Sequence, residues 1–469
     1  MLTEIILKEI QEQISTLKMI FSAVIIILVM LINAIVFNYT FDKKQTAYEN
    51  ECLDSGNSLK AETGKLIHLF FHRQRLTKPP ARLGFISESK DNVLPNGITM
   101  NYFEESQPQF HQKEQNKYLS LMNALDWSYI LIYIISFICL AFSYNAFSGE
   151  KEKGTLKLML SNSLAKGNLI FGKFIGILIC ISISFIIGLI LNLIIIQLNP
   201  AIQLTPLHYV KILIYLLNAL LFMGLNILLG FLISGLTFKP IHSLNLLLIC
   251  WIFFSIIIPN ISWVFAKKIF RVPSEADITE MIDTEVNKIW SSNKYYTGWQ
   301  GNWEGQPPNE KVRSRAEGGH VRNQIQLEIR RDYLQQKFRQ TRIAVRLAKI
   351  SPFSVFRFIG ERVADNGYSG YERFYEQARN YRTIFNTFLL EKDQQDPDSY
   401  HLIWNEQWAS RTFGSQKPVD FEEIPQFQYS EPGIGKLISN SAFDFLILFL
   451  WCLFLFYGTF VAFLRYDVR

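Results

Sequence analysis

The sequence predicts an all-α polytopic membrane protein, with six transmembrane helices, an N-terminal interfacial helix and a mainly helical extracytoplasmic domain. Two observations support this prediction. Hydrophobic residues make up 49% of the 469 residues and charged residues 19%, a balance that suits several spans joined to a large polar portion. In addition, six apolar runs come close to or exceed the ~20 residues that a helix needs to cross the hydrocarbon core. The runs are Met19–Phe37, Ser128–Phe147, Phe174–Leu198, Ile212–Leu236, Leu244–Phe265 and Leu437–Leu464.

Residues 1–41 are predicted to hold the interfacial helix and the first span. Before the first apolar run, apolar residues recur at helical spacing with charged residues between them, at Leu2, Ile6, Ile10, Ile14 and Leu17. This pattern is typical of a helix that lies in the membrane interface, although a soluble helix in a fold core is the alternative. The apolar run itself is too long for the core of a signal peptide and has no small-residue cleavage site, so we expect it to remain as a span.

The other spans divide the chain into four further parts. Residues 42–126 and 266–436 are predicted extracytoplasmic segments that form one domain, since their ends emerge side by side. Residues 127–265 hold four spans with a cytoplasmic loop at 148–173, and residues 437–469 hold the last span and a cytoplasmic tail. Lysines in the short loops place this loop and both termini in the cytoplasm. We therefore expect a multi-pass protein, and the bias toward Ile, Lys and Asn favours a bacterial cytoplasmic (inner) membrane.

The 148–173 loop is the most informative segment. It is short and amphipathic, lies between two apolar runs, and contains five lysines and two glutamates. Such a loop cannot catalyse a reaction alone, but a soluble partner can bind it and move the flanking spans through it. Glu150 and Glu152 are then available to basic residues of the partner, Gly154 ends the charged turn, and Leu156, Leu158 and Leu160 offer apolar contact. An ordinary solvated helix surface is the alternative for the charges.

The segment GEKEKGTL, from Gly149 to Leu156, resembles the signature of ABC-2-type transporter permeases, in which this loop is the coupling helix that docks on an ATPase subunit. Residues 126–176 look like the second and third spans of these permeases. More narrowly, the chain resembles the branch with a large extracytoplasmic insertion, through KPPARLGFISES, LPNG, ISPFSVFRFIG and FYEQARNYR. It departs from the pattern at Asn145, where an acidic residue is expected, and at Lys166, where arginine is usual.

The resemblance implies that two permease subunits, identical or related, pair with two ABC ATPase subunits. ATP and Mg would bind the ATPase, with no cofactor in this chain, and closure of the ATPase dimer would move the coupling helices. The residues that the resemblance assigns to ATPase coupling are Glu150, Glu152, Gly154, Thr155, Leu156 and Lys173.

Polar residues inside the spans are candidates for a substrate path or gate. Asp444 is the one carboxylate within an apolar run, where a charge near the bilayer centre costs at least ~2.5 kcal/mol. Asn226 and Asn245 are further candidates, although intramembrane Asn also serves helix packing and Asp444 lies close enough to the outer end for local hydration. Small residues at Gly172 and Gly176, and at Gly230 and Ser234, have the spacing that lets helices approach closely.

The sequence predicts no enzyme. GNLIFGK, at 167–173, fits the first seven positions of a phosphate-binding loop, but Phe174 replaces the Mg²⁺-ligating Ser/Thr and no strand precedes it. His68 and His72 lie on one helix face without the glutamate or third ligand of a zinc site. The net charge of +6 is spread along the chain and gives no case for nucleic acid.

Three functional hypotheses follow. The first is a permease subunit of an ATP-driven ABC-2-type exporter, coupled through the 148–173 loop to a separate ATPase and paired with a second permease. The second is a mechanotransmitter, in which the same motion reaches the extracytoplasmic domain and acts on a partner protein there, without moving a substrate. The third, a membrane receptor or scaffold without an ATPase, has to explain the coupling signature. Membrane lipid is an expected partner of all three.

Overall fold

The structure, a computed structural model, describes residues 2–88, 96–105, 125–156, 166–298, 307–406 and 411–464. Within these residues, six helices are long and apolar enough to cross a membrane, which confirms the predicted all-α polytopic architecture. They are TM1 (Leu17–Ala61), TM2 (Trp127–Glu152), TM3 (Lys166–Gln197), TM4 (Pro206–Leu236), TM5 (Pro240–Ile269) and TM6 (Ile434–Leu464). TM2 and TM5 each contain a π-helical segment, at Ile130–Ile135 and Phe253–Ile257.

Six helices outside the spans, and one segment at the end of TM2, are named α1 to α7. They are α1 (Leu2–Ile14), α2 (Leu66–Phe71), α3 (Ser148–Glu152), α4 (Glu275–Ser291), α5 (Glu310–Ala348), α6 (Pro352–Val363) and α7 (Gly367–Gln394). The helix α3 forms the end of TM2 and is separated from the rest of that span by a turn at residues 144–147.

TM4 lies at the centre of the bundle. In its most apolar stretch 67% of the residues are buried, against 17% in TM5, and it packs against TM2, TM6 and α6. Proline at its first position and the Thr205–His208 capping box fix its start, because the first helical N–H groups have no partner within the helix. TM4 is therefore the most deeply buried of the six spans.

The N-terminal helix α1 packs against the beginning of TM3. A Cβ atom at Gly172 would lie 2.6 Å from Cγ2 of Ile5, and one at Gly176 would lie 2.7 Å from Cγ of Glu9. Both distances are too short for any larger residue, so the predicted close approach at this glycine pair is made by α1. Glu9 becomes buried there, with only 7% of its surface exposed.

TM1 continues far beyond its apolar half. It has 45 residues, about 68 Å at 1.5 Å per residue, whereas the hydrocarbon core is ~30 Å thick. The polar half, residues 42–61, contains no proline that would end the helix. This half belongs to a polar domain, which we define as described residues 42–105 and 270–433.

Both sequence segments contribute to one core of the polar domain. A two-stranded antiparallel sheet pairs Gln74–Thr77 with Gly97–Met100, and its side chains pack with α2 and α7. The buried Arg382 of α7 donates hydrogen bonds to the carbonyl oxygens of Asn101 (3.0 Å) and Tyr102 (2.7 Å). These bonds join the two segments and satisfy backbone groups that water cannot reach.

Candidate coupling site and its connection to the polar domain

The helix α3 is attached to the end of TM4 through the Ser234 hydroxyl. This oxygen accepts hydrogen bonds from the backbone N–H groups of Phe147 (3.0 Å) and Ser148 (2.9 Å). These are the first N–H groups of α3, which have no acceptor inside so short a helix. One turn earlier, Gly230 leaves room for TM2, since a Cβ atom there would overlap the Ser143 hydroxyl. The predicted Gly230/Ser234 pair therefore holds α3 and TM2 against TM4.

Lys151 fixes the other side of α3 to the same end of TM4. Its Nζ donates to the carbonyl oxygens of Gly235 and Thr237, the latter at 3.1 Å. Carbonyl groups in the last turn of a helix lack partners within that helix, and a cation there also opposes the negative end of the helix dipole. The orientation of α3 relative to TM4 is thus determined from both of its ends.

Glu150 and Lys173 pair with each other. Oε1 of Glu150 lies 2.5 Å from Nζ of Lys173, which is also 3.8 Å from Oε2 of Glu9 and donates to the carbonyl oxygen of Ala146 at 3.4 Å. Only 10% of the Lys173 side chain is exposed. One lysine on TM3 therefore joins α3 and α1, and the Glu150 carboxylate is already engaged within the chain.

The remaining predicted coupling residues differ in exposure. Glu152, Gly154 and Thr155 are exposed, whereas Leu156 is fully buried in the core of the spans. Gly154 lies two residues after the end of α3 with φ +72°, and no other part of the described chain comes within 4 Å of the position of a Cβ. Glycine is needed here for its backbone conformation and not for lack of space, since other residues rarely adopt this left-handed geometry. Leu158 and Leu160 lie outside the described residues.

The charged residue Asp444 of TM6 binds the polar domain. It is completely buried, and its two carboxylate oxygens lie 2.5 Å from Nζ of Lys349 and 2.5 Å from Nη1 of Arg362. Sequence reasoning identified Asp444 but not these cations, which lie 95 and 82 residues earlier. The available signal was their position on either side of the apolar segment Ser351–Ile359.

That segment begins α6, which packs into the bundle against TM4 and TM6. The ring of Phe356 stacks on the ring of Phe222 with centroids 4.3 Å apart and an angle of 17° between the planes. The ring of Phe353 meets Phe222 edge-on at 5.1 Å. Gly360 allows TM2 to approach, because a Cβ atom there would lie 2.5 Å from Oγ of Ser128. A helix of the polar domain is thereby buried in the core of the membrane domain.

Asn226 and Asn245 occupy different surroundings. Asn226 is fully buried in TM4, where its Nδ2 donates to the carbonyl oxygen of Phe222 at 2.8 Å and its Oδ1 has no hydrogen-bond partner among the described residues. Asn245 is exposed on TM5. The three candidates have three different settings. Asp444 lies at an ionic contact with the polar domain, Asn226 in the interior of TM4, and Asn245 on the exposed face of TM5. Their role in a substrate path stays a prediction.

Two further carboxylates lie where the bundle meets the polar domain. Glu431 is 3.3 Å from Nε2 of His208 and 3.0 Å from Nζ of Lys211. These two partners lower its pKa to about 2, despite partial burial. Asp126 caps the start of TM2 by accepting from the backbone N–H of Tyr129 at 2.6 Å. Burial raises the pKa of Asp126 to about 7, because the charged form loses its hydration.

The fold and these junctions define a polytopic membrane protein in which a short helix at one end of the bundle and a polar domain at the other are both attached to TM4. The sequence model of the ABC-2 family transporter proteins matches residues 3–468, so the chain belongs to this family. A comparison with curated proteins gave no match.

Family membership confirms the resemblance recognised in the GEKEKGTL segment. Membership of the branch with a large extracytoplasmic insertion stays a prediction. It makes the chain a multi-pass membrane permease subunit of an ABC transporter. Permeases of this family are normally not enzymes; they work with an ABC ATPase partner and usually as permease pairs.

Proposed function

We propose that this chain is the permease subunit of an ATP-driven exporter and that a separate ABC ATPase subunit drives it through the 148–173 loop. One observation supports this most strongly: α3 is held on its buried side against TM3 and TM4, and within described residues 148–156 the exposed positions are those of the turn at residues 152–155. A partner that binds this turn and moves it therefore pulls on both spans through these contacts.

The predicted coupling residues then have separate roles. Glu152 meets basic residues of the ATPase, because its carboxylate is exposed and makes no ion pair among the described residues. Glu150 and Lys173 transmit the motion to TM3. Gly154 allows the turn to form, and Leu156 anchors it in the core. ATP and Mg bind the ATPase, and the loop and both termini face the cytoplasm of a bacterial cell.

The second permease subunit, identical or related, covers part of TM5. This span exposes a long row of apolar residues and, within it, the amide of Asn245. An amide that faces hydrocarbon gains a hydrogen bond by meeting another helix, worth ~0.6–2 kcal/mol. We therefore place Asn245 between the two permeases and leave the remainder of the face to lipid.

A second candidate function is mechanotransmission, in which no substrate crosses. The burial of α6 against TM4 and the ion pairs of Asp444 favour this candidate, because they attach the polar domain directly to the moving spans. The polar domain would then act on an extracytoplasmic partner protein.

The coupling proposal is tested by co-expressing the full chain with its ABC ATPase and measuring ATP turnover and complex formation in lipid nanodiscs. We expect Glu152→Lys to weaken ATPase binding by about tenfold or more, because it places like charges together at an interface. Glu280→Lys, the same change on an exposed position of α4, is the control and should leave binding unchanged. Normal binding and turnover in Glu152→Lys would remove the turn from the coupling role.

Turnover also separates the two candidate functions. An ATPase rate that rises when small molecules or lipids are added to the complex favours export. A rate that rises only when a protein bound to the polar domain is added favours mechanotransmission.

A further inference from the structure

A cavity of about 210 Å³ lies where α5, α6 and α7 of the polar domain meet. It is far larger than the space that one water molecule needs. Four cations and two carboxylates supply its charged lining: Arg342, Arg346, Lys349, Arg362, Glu361 and Glu372.

The lining has an excess of positive charge. Both carboxylates have partners, since Oε1 of Glu372 lies 3.5 Å from Nη1 of Arg342 and Oε1 of Glu361 lies 3.1 Å from Nε of Arg357. Asp444 is shared between Lys349 and Arg362. Arg346 is exposed and makes no ion pair among the described residues. Arg346 therefore offers its charge to an anion without any existing pair having to break, and Arg342 has further N–H donors besides the one that faces Glu372.

The rim of the cavity adjoins the apolar outer face of TM6. Nζ of Lys349 lies 6.0 Å from the ring centroid of Phe443, which is 65% exposed. The next residue after this lysine, Ile350, is 60% exposed. Cations beside exposed apolar side chains are typical of the level at which a membrane changes from acyl chains to headgroups.

We propose that this cavity binds the phosphate group of an anionic phospholipid. Arg342 and Arg346 contact the phosphate, and the acyl chains lie along Phe443 and Ile350. The lipid would thus connect α5 with TM6 next to the Asp444 junction. The bound lipid would belong to the leaflet on the side of the polar domain. Its binding does not depend on whether the chain exports a substrate.

The test measures binding of dioctanoyl phosphatidylglycerol and dioctanoyl phosphatidylcholine to the delipidated full chain in detergent, by native mass spectrometry. Each basic side chain near a membrane surface contributes ~1 kcal/mol toward an anionic lipid. We expect Arg346→Gln to weaken phosphatidylglycerol binding by about fivefold and Arg342→Gln/Arg346→Gln by about 30-fold. Phosphatidylcholine should bind more weakly and change little.

The matched control is Arg313→Gln. Arg313 is also an exposed arginine of α5 without an ion pair among the described residues, but it lies 33 residues before Arg346, about 50 Å along the helix. It should bind phosphatidylglycerol like the wild type. Equal binding of both lipids, or no loss in the double variant, would overturn the proposal. Displacement of phosphatidylglycerol by low concentrations of inorganic phosphate would also overturn it, in favour of a free-anion site.

Discussion

TM4 is attached to its neighbours by different kinds of contact at its C-terminal end and near its middle. At one end, Ser234 and the last carbonyl groups hold α3 by a few hydrogen bonds, and Glu150 pairs with Lys173 beside them. Near the middle of TM4, Phe222 packs against Phe353 and Phe356 in a fully buried aromatic cluster. The first junction is polar and lies beside an exposed turn, whereas the second is apolar and enclosed.

This difference bears on how motion would travel through the protein. Hydrogen bonds between small polar groups contribute ~1 kcal/mol each and can re-form after a helix tilts. A close-packed aromatic cluster loses contact energy as soon as its surfaces separate, so the helices that form it move as one body. We infer that α3 is a hinge-like contact and that α6 is a rigid attachment of the polar domain.

The largest effect is expected at the aromatic junction. Phe356→Ala removes a fully buried ring and should lower the free energy of unfolding by about 3–5 kcal/mol. The measurement is thermal unfolding of the purified chain in detergent. Phe449→Ala, at a position of TM6 that is 50% exposed, is the control and should change stability little. A loss no greater than that of the control would mean that α6 is not a rigid attachment.

The ionic contact beside it should have the next largest effect. Asp444→Asn leaves Lys349 and Arg362 close together without a counter-charge, which we expect to destabilise the fold by about 3 kcal/mol. The triple variant Lys349→Gln/Arg362→Gln/Asp444→Asn should recover most of this loss, because no unpaired charge remains. If the triple variant is as unstable as Asp444→Asn, the charges themselves are not the cause.

A smaller effect is expected at the junction with α3. Ser234→Ala removes the acceptor of two N–H groups and should cost about 1 kcal/mol, as helix-cap losses typically do. Hydrogen exchange should become faster in residues 147–152 and remain unchanged in α6. Ser184→Ala is the matched control, since among the described residues that hydroxyl donates to the Cys180 carbonyl of its own helix. Equal protection in both variants would contradict the hinge-like contact.

The smallest effect concerns pH. The Glu431 pKa is lowered from 4.5 to about 2 in the folded chain, so its stabilising contribution is complete above pH ~4.5 and is lost as the pH falls toward ~2. Glu431→Gln should therefore reduce the drop in melting temperature between neutral pH and about pH 3. Identical pH profiles of the melting temperature for the variant and the wild type would show that the pairing of Glu431 with His208 and Lys211 does not contribute to stability.

Much of the architecture could be predicted because its signals are local. Each span appears as a continuous apolar run, the charged turn before Gly154 has a characteristic sequence, and the spacing of Gly230 and Ser234 marks a close contact. The sequence did not reveal which helix each of these features meets. Gly172 and Gly176, for example, receive α1, although their spacing would equally suit another span.

The sequence by itself determined the class of protein, the six spans, the family and the position of the charged 148–173 loop, since hydropathy and short motifs depend only on neighbouring residues. Only the tertiary structure decided that Glu150 pairs with Lys173, that Asp444 binds the polar domain and that α6 enters the bundle. These contacts join residues that are 23 to more than 100 positions apart. Their energy comes from burial and from charge pairing between different elements, and neither can be read from spacing along one helix.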